Sequence, residues 1–263
     1  MAWRLHADPA MMVAGMRALM VQALEPRAMA GVAEHSDYRA DPWRRLDRTV
    51  RFILATTYGD TATAEGAAAA VRAIHERVRG TDPVSGRAYA ASEPDLLLWV
   101  HAVEVHSVVV AYRRYAGRLT DDDADRYVAE TRCVPELLGL PVGAAPESMG
   151  ELRAYLRSMD DRLVVTPAAR RALRLILAPP VPIALRPFVP LPVAAAVAVL
   201  PRIARRLYHL PWPAPATPSV RAATYTLTRV LNLTFADAPE VRAARARVRP
   251  ASVEREGDRD GDE

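Results

Sequence analysis

Asp95-Leu-Leu-Leu-Trp-Val-His-Ala-Val-Glu-Val-His-Ser-Val-Val-Val-Ala-Tyr-Arg-Arg-Tyr115 is apolar on almost every face of a 3.6-residue helix. Strand alternation is missing from it, and the run is far longer than a strand. A helix that is hydrophobic all round must be buried, so this stretch is expected to be the core helix, with the rest of the chain wrapped around it. It carries His101, Glu104 and His106 into that buried setting.

Outward from this helix, start and stop signals are frequent. Asp41-Pro42 reads as an N-cap followed by proline at the first helical position, with Gly59 as the stop. Ser92-x-x-Asp95, Thr120-x-x-Asp123 and Ser148-x-x-Glu151 resemble capping boxes, and Thr166-Pro167 opens another helix. Gly80 to Ala91 and Leu138 to Glu147 have the glycines and prolines of loops. Arg174 to Pro218 is proline-dense and allows short helices at best, and residues 219–236 can form one more. The expectation is an all-α, single-domain protein of eight to ten helices over residues 1–250, followed by a charged, disordered tail over 251–263.

Composition narrows the function classes. The chain has no lysine, so its 35 basic residues are all arginines, a pattern that reflects codon bias before it reflects nucleic-acid binding. The net charge of +4 is small, the acids are interspersed, and no basic stripe with interleaved aromatics is present, so no nucleic-acid partner is expected. Cys133 is the only cysteine, which excludes an intrachain disulfide, a zinc knuckle and an iron–sulfur cluster. Met1-Ala-Trp-Arg-Leu-His6 is no secretory leader, and a cytoplasmic protein is expected. Val181 to Leu200 is the most apolar stretch, but four prolines and Arg186 interrupt it. A spanning helix needs about 20 clean apolar residues, so the segment reads as buried or interfacial, with peripheral membrane contact open.

Two helices hold the candidate chemistry. In Ala62–Arg79, Val71, Ile74, His75 and Val78 share one apolar stripe, which turns His75 inward and leaves Arg72 and Arg79 on its edge. In Asp41–Tyr58, Arg45, Arg48, Thr49 and Phe52 have the same spacing, and polar side chains there suit a polar ligand. One inward imidazole with arginines beside it is what an iron porphyrin needs: an axial nitrogen, and cations for its propionates. The plainer alternatives remain open on spacing alone. His75 can be a satisfied core histidine, Arg72 and Glu76 an ordinary surface pair, and Arg45, Arg48 and Thr49 a solvated helix face. His101 and Glu104, three apart, can be a buried structural pair. A di-iron site would want two Glu-x-x-His repeats, and the chain has none. No Gly-x-Ser-x-Gly, P-loop, dinucleotide fingerprint or His-Glu-x-x-His occurs.

Several motifs in order carry a resemblance. Gly31-Val-Ala-Glu-His-Ser36, Asp41-Pro-Trp-Arg-Arg-Leu-Asp-Arg-Thr49, Ala73-Ile-His-Glu-Arg-Val-Arg-Gly80, Gly86-Arg-Ala-Tyr-Ala90, Asp95-Leu-Leu-Leu-Trp-Val-His101 and Tyr127-Val-Ala-Glu-Thr131 resemble the oxygenase MpaB / latex-clearing protein (rubber oxygenase) family. The resemblance implies a helical domain with a globin-like core and a haem b held by one histidine. It also implies dioxygen as co-substrate and an apolar, in some members isoprenoid, substrate. By the same resemblance His75 is the axial iron ligand, Arg72, Arg45 and Arg48 line the cofactor pocket, and Arg45, Thr49 and Glu34 are the catalytic-side residues. Position 48 departs from rubber-cleaving members that carry a lysine able to reach iron, because a guanidinium stays protonated and cannot ligate. Fold resemblance alone does not hand over a substrate. A non-catalytic helical module, whose pocket binds a lipid or has lost haem, is the alternative. Oligomeric state is not legible in the sequence.

Overall fold

The computed structural model describes residues 1–234 and 237–248; the expected tail over 251–263 lies outside them. The element order is α1 (Ala2–His6), α2 (Met11–Gln22), α3 (Pro26–His35), α4 (Pro42–Tyr58), α5 (Thr61–His75), β1 (Arg79–Thr81), β2 (Ala88–Ala90), α6 (Pro94–Tyr115), α7 (Asp121–Thr131), α8 (Cys133–Leu137), α9 (Met149–Ser158), α10 (Pro167–Leu177), α11 (Pro190–Ala198), α12 (Arg202–Tyr208), α13 (Ala216–Thr234) and α14 (Pro239–Val248). Short 3-10 turns cover Asp160–Arg162 and Ile183–Phe188. Among the described residues the protein is all-α apart from one antiparallel hairpin, in which Arg79 pairs with Ala90 and Thr81 with Ala88. Ten of these α-helices reach ten residues; α1, α8, α11 and α12 are shorter, too brief for apolar periodicity to reveal.

Helix α6 is the axis. Thirteen of its 22 residues are buried, Trp99 to 1 % exposure. Helix α2 packs along it, α9, α7, α13 and α1 surround it, and α11 bridges α2 to α13. Trp99, Val103, Val13, Met20 and Tyr115 belong to the main core. Trp99 also donates its indole N–H to the Gln22 carbonyl at 3.2 Å, so its polar edge is satisfied.

The local signals hold in most places. Asp41 accepts the Arg44 N–H at 2.9 Å and Thr166 the Ala169 N–H at 3.1 Å. Thr120 and Asp123 form a reciprocal capping box, whereas Ser148 caps Glu151 while the Glu151 carboxylate turns to the Glu147 N–H. The Ser92 box does not form. Helix α6 instead starts at Pro94 behind Glu93, whose carboxylate accepts the Ala90 N–H at 2.7 Å and ties the hairpin to the helix. The linker expected over Gly80–Ala91 is this hairpin. Helix α5 therefore stops at His75, and Val78 and Arg79 lie beyond it.

Burial of α6 and its neighbours reshapes their titration. The Glu104 carboxyl is pushed up to about 7, while His6 and His101 are held down at about 4. Burial, with Arg17 and Arg153 nearby, holds His106 at about 3. Below their ordinary pKa of 6.5 the three histidines take protons in the unfolded chain before the folded one, so their share of stability is lost as pH falls from 6.5 towards 4. Glu104 acts oppositely, because the folded state keeps a proton that the unfolded chain releases from pH 4.5 upward. Glu104→Gln should therefore raise the free energy of unfolding near pH 8.5, by at most about 3 kcal/mol given the partial solvent contact of the residue, and change it little near pH 4.5. A variant no more stable than wild type near pH 8.5 would contradict this. Trp99→Ala should cost about 3–5 kcal/mol in denaturant unfolding; a loss under about 1 kcal/mol would remove Trp99 from its central role.

Candidate functional site

Helix α4 is laid against the body with an unusual face inward. Arg45 and Thr49 are half-buried, while Trp43, Leu46 and Val50 are 47 %, 40 % and 42 % exposed. The Arg45 guanidinium donates through Nη1 to Thr49 Oγ1, and the Thr49 hydroxyl donates to the Arg45 carbonyl at 3.2 Å. Arg45 has no ion pair among the described residues. Burial, and then the like charge of Arg48, lower its pKa. A half-buried cation without a counter-charge is costly unless something anionic faces it.

Helix α5 follows after Gly59 and Asp60, where Asp60 accepts the Thr63 N–H at 2.8 Å. The two helices form an antiparallel pair that brings His75, the last residue of α5, to the N-terminal half of α4. His75 is half-buried. Burial first, and the Arg45 charge second, push its pKa down, which favours neutral imidazole. Its Nδ1 is buried and has no hydrogen-bond partner among the described residues. Such an atom is an exception in a folded protein and asks for a partner.

The remaining expected residues are placed differently. The apolar stripe of α5 is not core-facing as a whole: Ile74 is 45 % exposed and Ala68 is the one fully buried residue of the helix. Arg48 is exposed and, among the described residues, unpaired. Arg72 is exposed and its guanidinium donates to the Leu137 carbonyl at the end of α8. Glu34 is exposed at the end of α3, where its carboxylate lies beside the Tyr89 hydroxyl and raises the Tyr89 pKa after burial. A Cβ on Gly80 would lie 2.7 Å from Tyr89 Oη and 2.9 Å from Glu34 Oε2, so glycine is what lets the three meet. Neighbouring His35 donates from Nε2 to the Arg79 carbonyl at 2.9 Å. No hydrogen bond or ion pair joins Glu34 or Arg72 to Arg45, Thr49 or His75 among the described residues. The structure thus assembles Arg45, Thr49 and His75 and sets Arg72 and Glu34 on the flanks.

On α6, His101 and Glu104 do not hydrogen-bond to each other among the described residues. Glu104 instead lies near Tyr127, whose buried phenol shares a 2.8 Å hydrogen bond with His6 Nε2. His6 sits in a five-residue helix at the start of the chain, where spacing gives no hint of its burial. His106 Nδ1 accepts from Arg17 Nη2 at 3.1 Å, and Arg17 also donates to Ser107 Oγ at 2.6 Å and to the Val199 carbonyl at 2.9 Å. Among the described residues, no group of three or more His, Cys, Asp and Glu side chains is arranged to hold a bare metal ion.

No curated protein and no solved structure matches the chain. The family model described as ER-bound oxygenase mpaB/B'/rubber oxygenase, catalytic domain, matches residues 3–229. That span runs from α1 into α13 and takes in α4, α5 and the hairpin between α5 and α6. The chain belongs to the MpaB/rubber oxygenase catalytic-domain family.

Proposed function

We propose that this family member is a haem b-dependent oxygenase that uses dioxygen on a small apolar substrate, isoprenoids being the class its resemblance favours. Family membership supports an oxygenase at the coarse level. The observation that carries the finer reading is the half-buried Arg45–Thr49 pair set against His75, whose Nδ1 is buried and unpartnered among the described residues.

These residues fit a porphyrin better than a bare ion. A bare metal needs several protein donors in one place, and the described residues offer none. A porphyrin brings its own equatorial nitrogens and asks the protein for one axial nitrogen and for cations at its carboxylates. His75 would hold the iron, and its lowered pKa keeps the imidazole neutral, as a ligand must be. Arg45, which lacks an acid among the described residues, would pair with a propionate, and exposed Arg48 could reach one from the rim. When bound, haem supplies the dioxygen chemistry. Thr49 Oγ1 is hydrogen-bonded within this group, and a small rotation would redirect its proton from the Arg45 carbonyl to a ligand. Arg72 is engaged by the Leu137 carbonyl and Glu34 lies beside Tyr89, so they would act at this site only after α5 or the hairpin moved.

The same geometry keeps a second reading in play. No acceptor among the described residues fixes the His75 tautomer at Nδ1, although such a partner usually orients an axial histidine. A pocket that has lost haem and serves as a non-catalytic, lipid-binding module would share this trait. Protein purified with haem precursor supplied should show a Soret band that shifts with dithionite and carbon monoxide. His75→Ala should abolish the band and leave the far-ultraviolet circular dichroism nearly unchanged, with a melting temperature close to that of haem-free wild type, because His75 is half-exposed at a helix end. Normal haem content in His75→Ala would remove His75 as the ligand. A colourless wild type that refuses added hemin would put the non-catalytic reading first.

A further inference from the structure

Every residue from Pro182 to Phe188 is exposed, in a segment that is apolar apart from Arg186. Ile183 is 78 %, Leu185 51 % and Phe188 72 % exposed, which leaves these side chains standing out from the surface. The segment does not stand alone. The Trp43 indole donates to the Pro180 carbonyl at 2.8 Å, which joins the spur to the N-terminal end of α4. From there Trp43, Leu46 and Val50, at i, i+3 and i+7, continue an exposed apolar stripe along the outer side of α4. Contiguous exposed apolar surface of this kind marks an interaction site.

The charges around it are predominantly positive. Arg44 and Arg48 flank the stripe on α4 and Arg186 sits within the spur; all three are exposed and form no ion pair among the described residues. The nearby acids are engaged: Asp41 caps α4 and Asp47 pairs with Arg51 at 2.8 Å. Protruding aliphatic and aromatic side chains, a tryptophan at their base and free guanidiniums at their rim are the attributes of a peripheral membrane anchor. We infer that the face formed by the 182–188 spur and the outer stripe of α4 docks on a bilayer surface rich in anionic headgroups.

The other occupants fit less well. Residues 252–263 have Val253 as their one apolar side chain and cannot cover such a face. A second copy would have to bring acids to the unpaired Arg44, Arg48 and Arg186, whereas anionic headgroups supply that charge directly. Docking would also place the inner side of α4, with Arg45 and Thr49, one helix diameter from the lipid that dissolves apolar substrates. That consequence rests on the haem reading, but the docking itself does not.

Co-sedimentation of the full chain with vesicles of phosphatidylcholine, with and without about one third phosphatidylglycerol, tests this. Wild type should bind the anionic vesicles, and binding should weaken as salt rises. Ile183→Glu/Phe188→Glu and Arg44→Glu/Arg186→Glu should each weaken it about tenfold or more, with melting temperatures unchanged because all four residues are exposed. Folded wild-type protein that sediments with neither vesicle would overturn the inference. Binding indifferent to both double substitutions would overturn it too. So would a dimer that Ile183→Glu/Phe188→Glu converts to monomer without any vesicle binding, since the face would then belong to a second copy. Haem content read on the same preparations keeps a failure of docking distinct from a failure of the cofactor reading.

Discussion

A helix with apolar side chains on nearly all its faces has to be surrounded, and the arrangement of this protein follows from surrounding α6. Helices α2, α9, α7 and α13 are the wall. Their contact with α6 carries ionisable groups inside as well, and each has to be neutral or neutrally solvated there. Arg17 is the extreme case, at 2 % exposure and in no ion pair among the described residues. It is solvated by a hydroxyl, an imidazole and a carbonyl, and the imidazole of His106 can accept from it because burial keeps that ring unprotonated. At the other end of α6, Arg27 gathers Glu25, Glu93 and Asp95 within 3.1 Å, and Arg162 joins Asp95 at 3.2 Å. That hub ties the starts of α3 and α6 to the turn after α9, so the register of the central helix is fixed by charge at one end and by packing along its length.

Much of this was readable from residues. The length and apolarity of 95–115 identified the axis, and the caps at Asp41, Thr120 and Thr166 located three helix starts to the residue. These signals are local: a side-chain oxygen meets an N–H three residues on, and no distant contact can change that. The failures are where distant contacts decide. Ser92 lost its capping role because Pro94 already suits the first helical turn, and Glu93 was drawn to the hairpin. The hairpin has three residues in each strand and no alternation to reveal it; it depends on Gly80 giving room to Tyr89 and Glu34. Helix α5 ends early for the same reason, since Val78 is already committed to that turn and accepts the Ala91 N–H at 2.9 Å.

The candidate site was legible to a similar degree. Spacing on two separate segments proposed Arg45, Thr49 and His75, and the pairing of α4 with α5 brings these three together. Spacing also grouped Arg72 with them, yet a long, exposed guanidinium goes to whatever acceptor is near, and the end of α8 supplies one in Leu137. Glu34 follows Tyr89 for lack of any constraint toward α4. The His6–Tyr127–Glu104 grouping had no signal at all, because it joins α1 at the start of the chain to α6 and α7 far along it.

The α4–α5 pair itself contributes little to the core. Tyr58 is the one fully buried residue of α4 and Ala68 that of α5, and neither helix belongs to the cluster around α6. The pair is held by its own mutual contact and by light contacts to α1, α8 and α14. A unit so attached opens at a free energy well below that of global unfolding, so its backbone amides exchange with solvent hydrogen while those of α2 and α6 stay protected. The segment that bears His75 and Arg45 can therefore separate from the body and return without melting it, so access to these side chains is set by a local fluctuation and not by the stability of the whole fold.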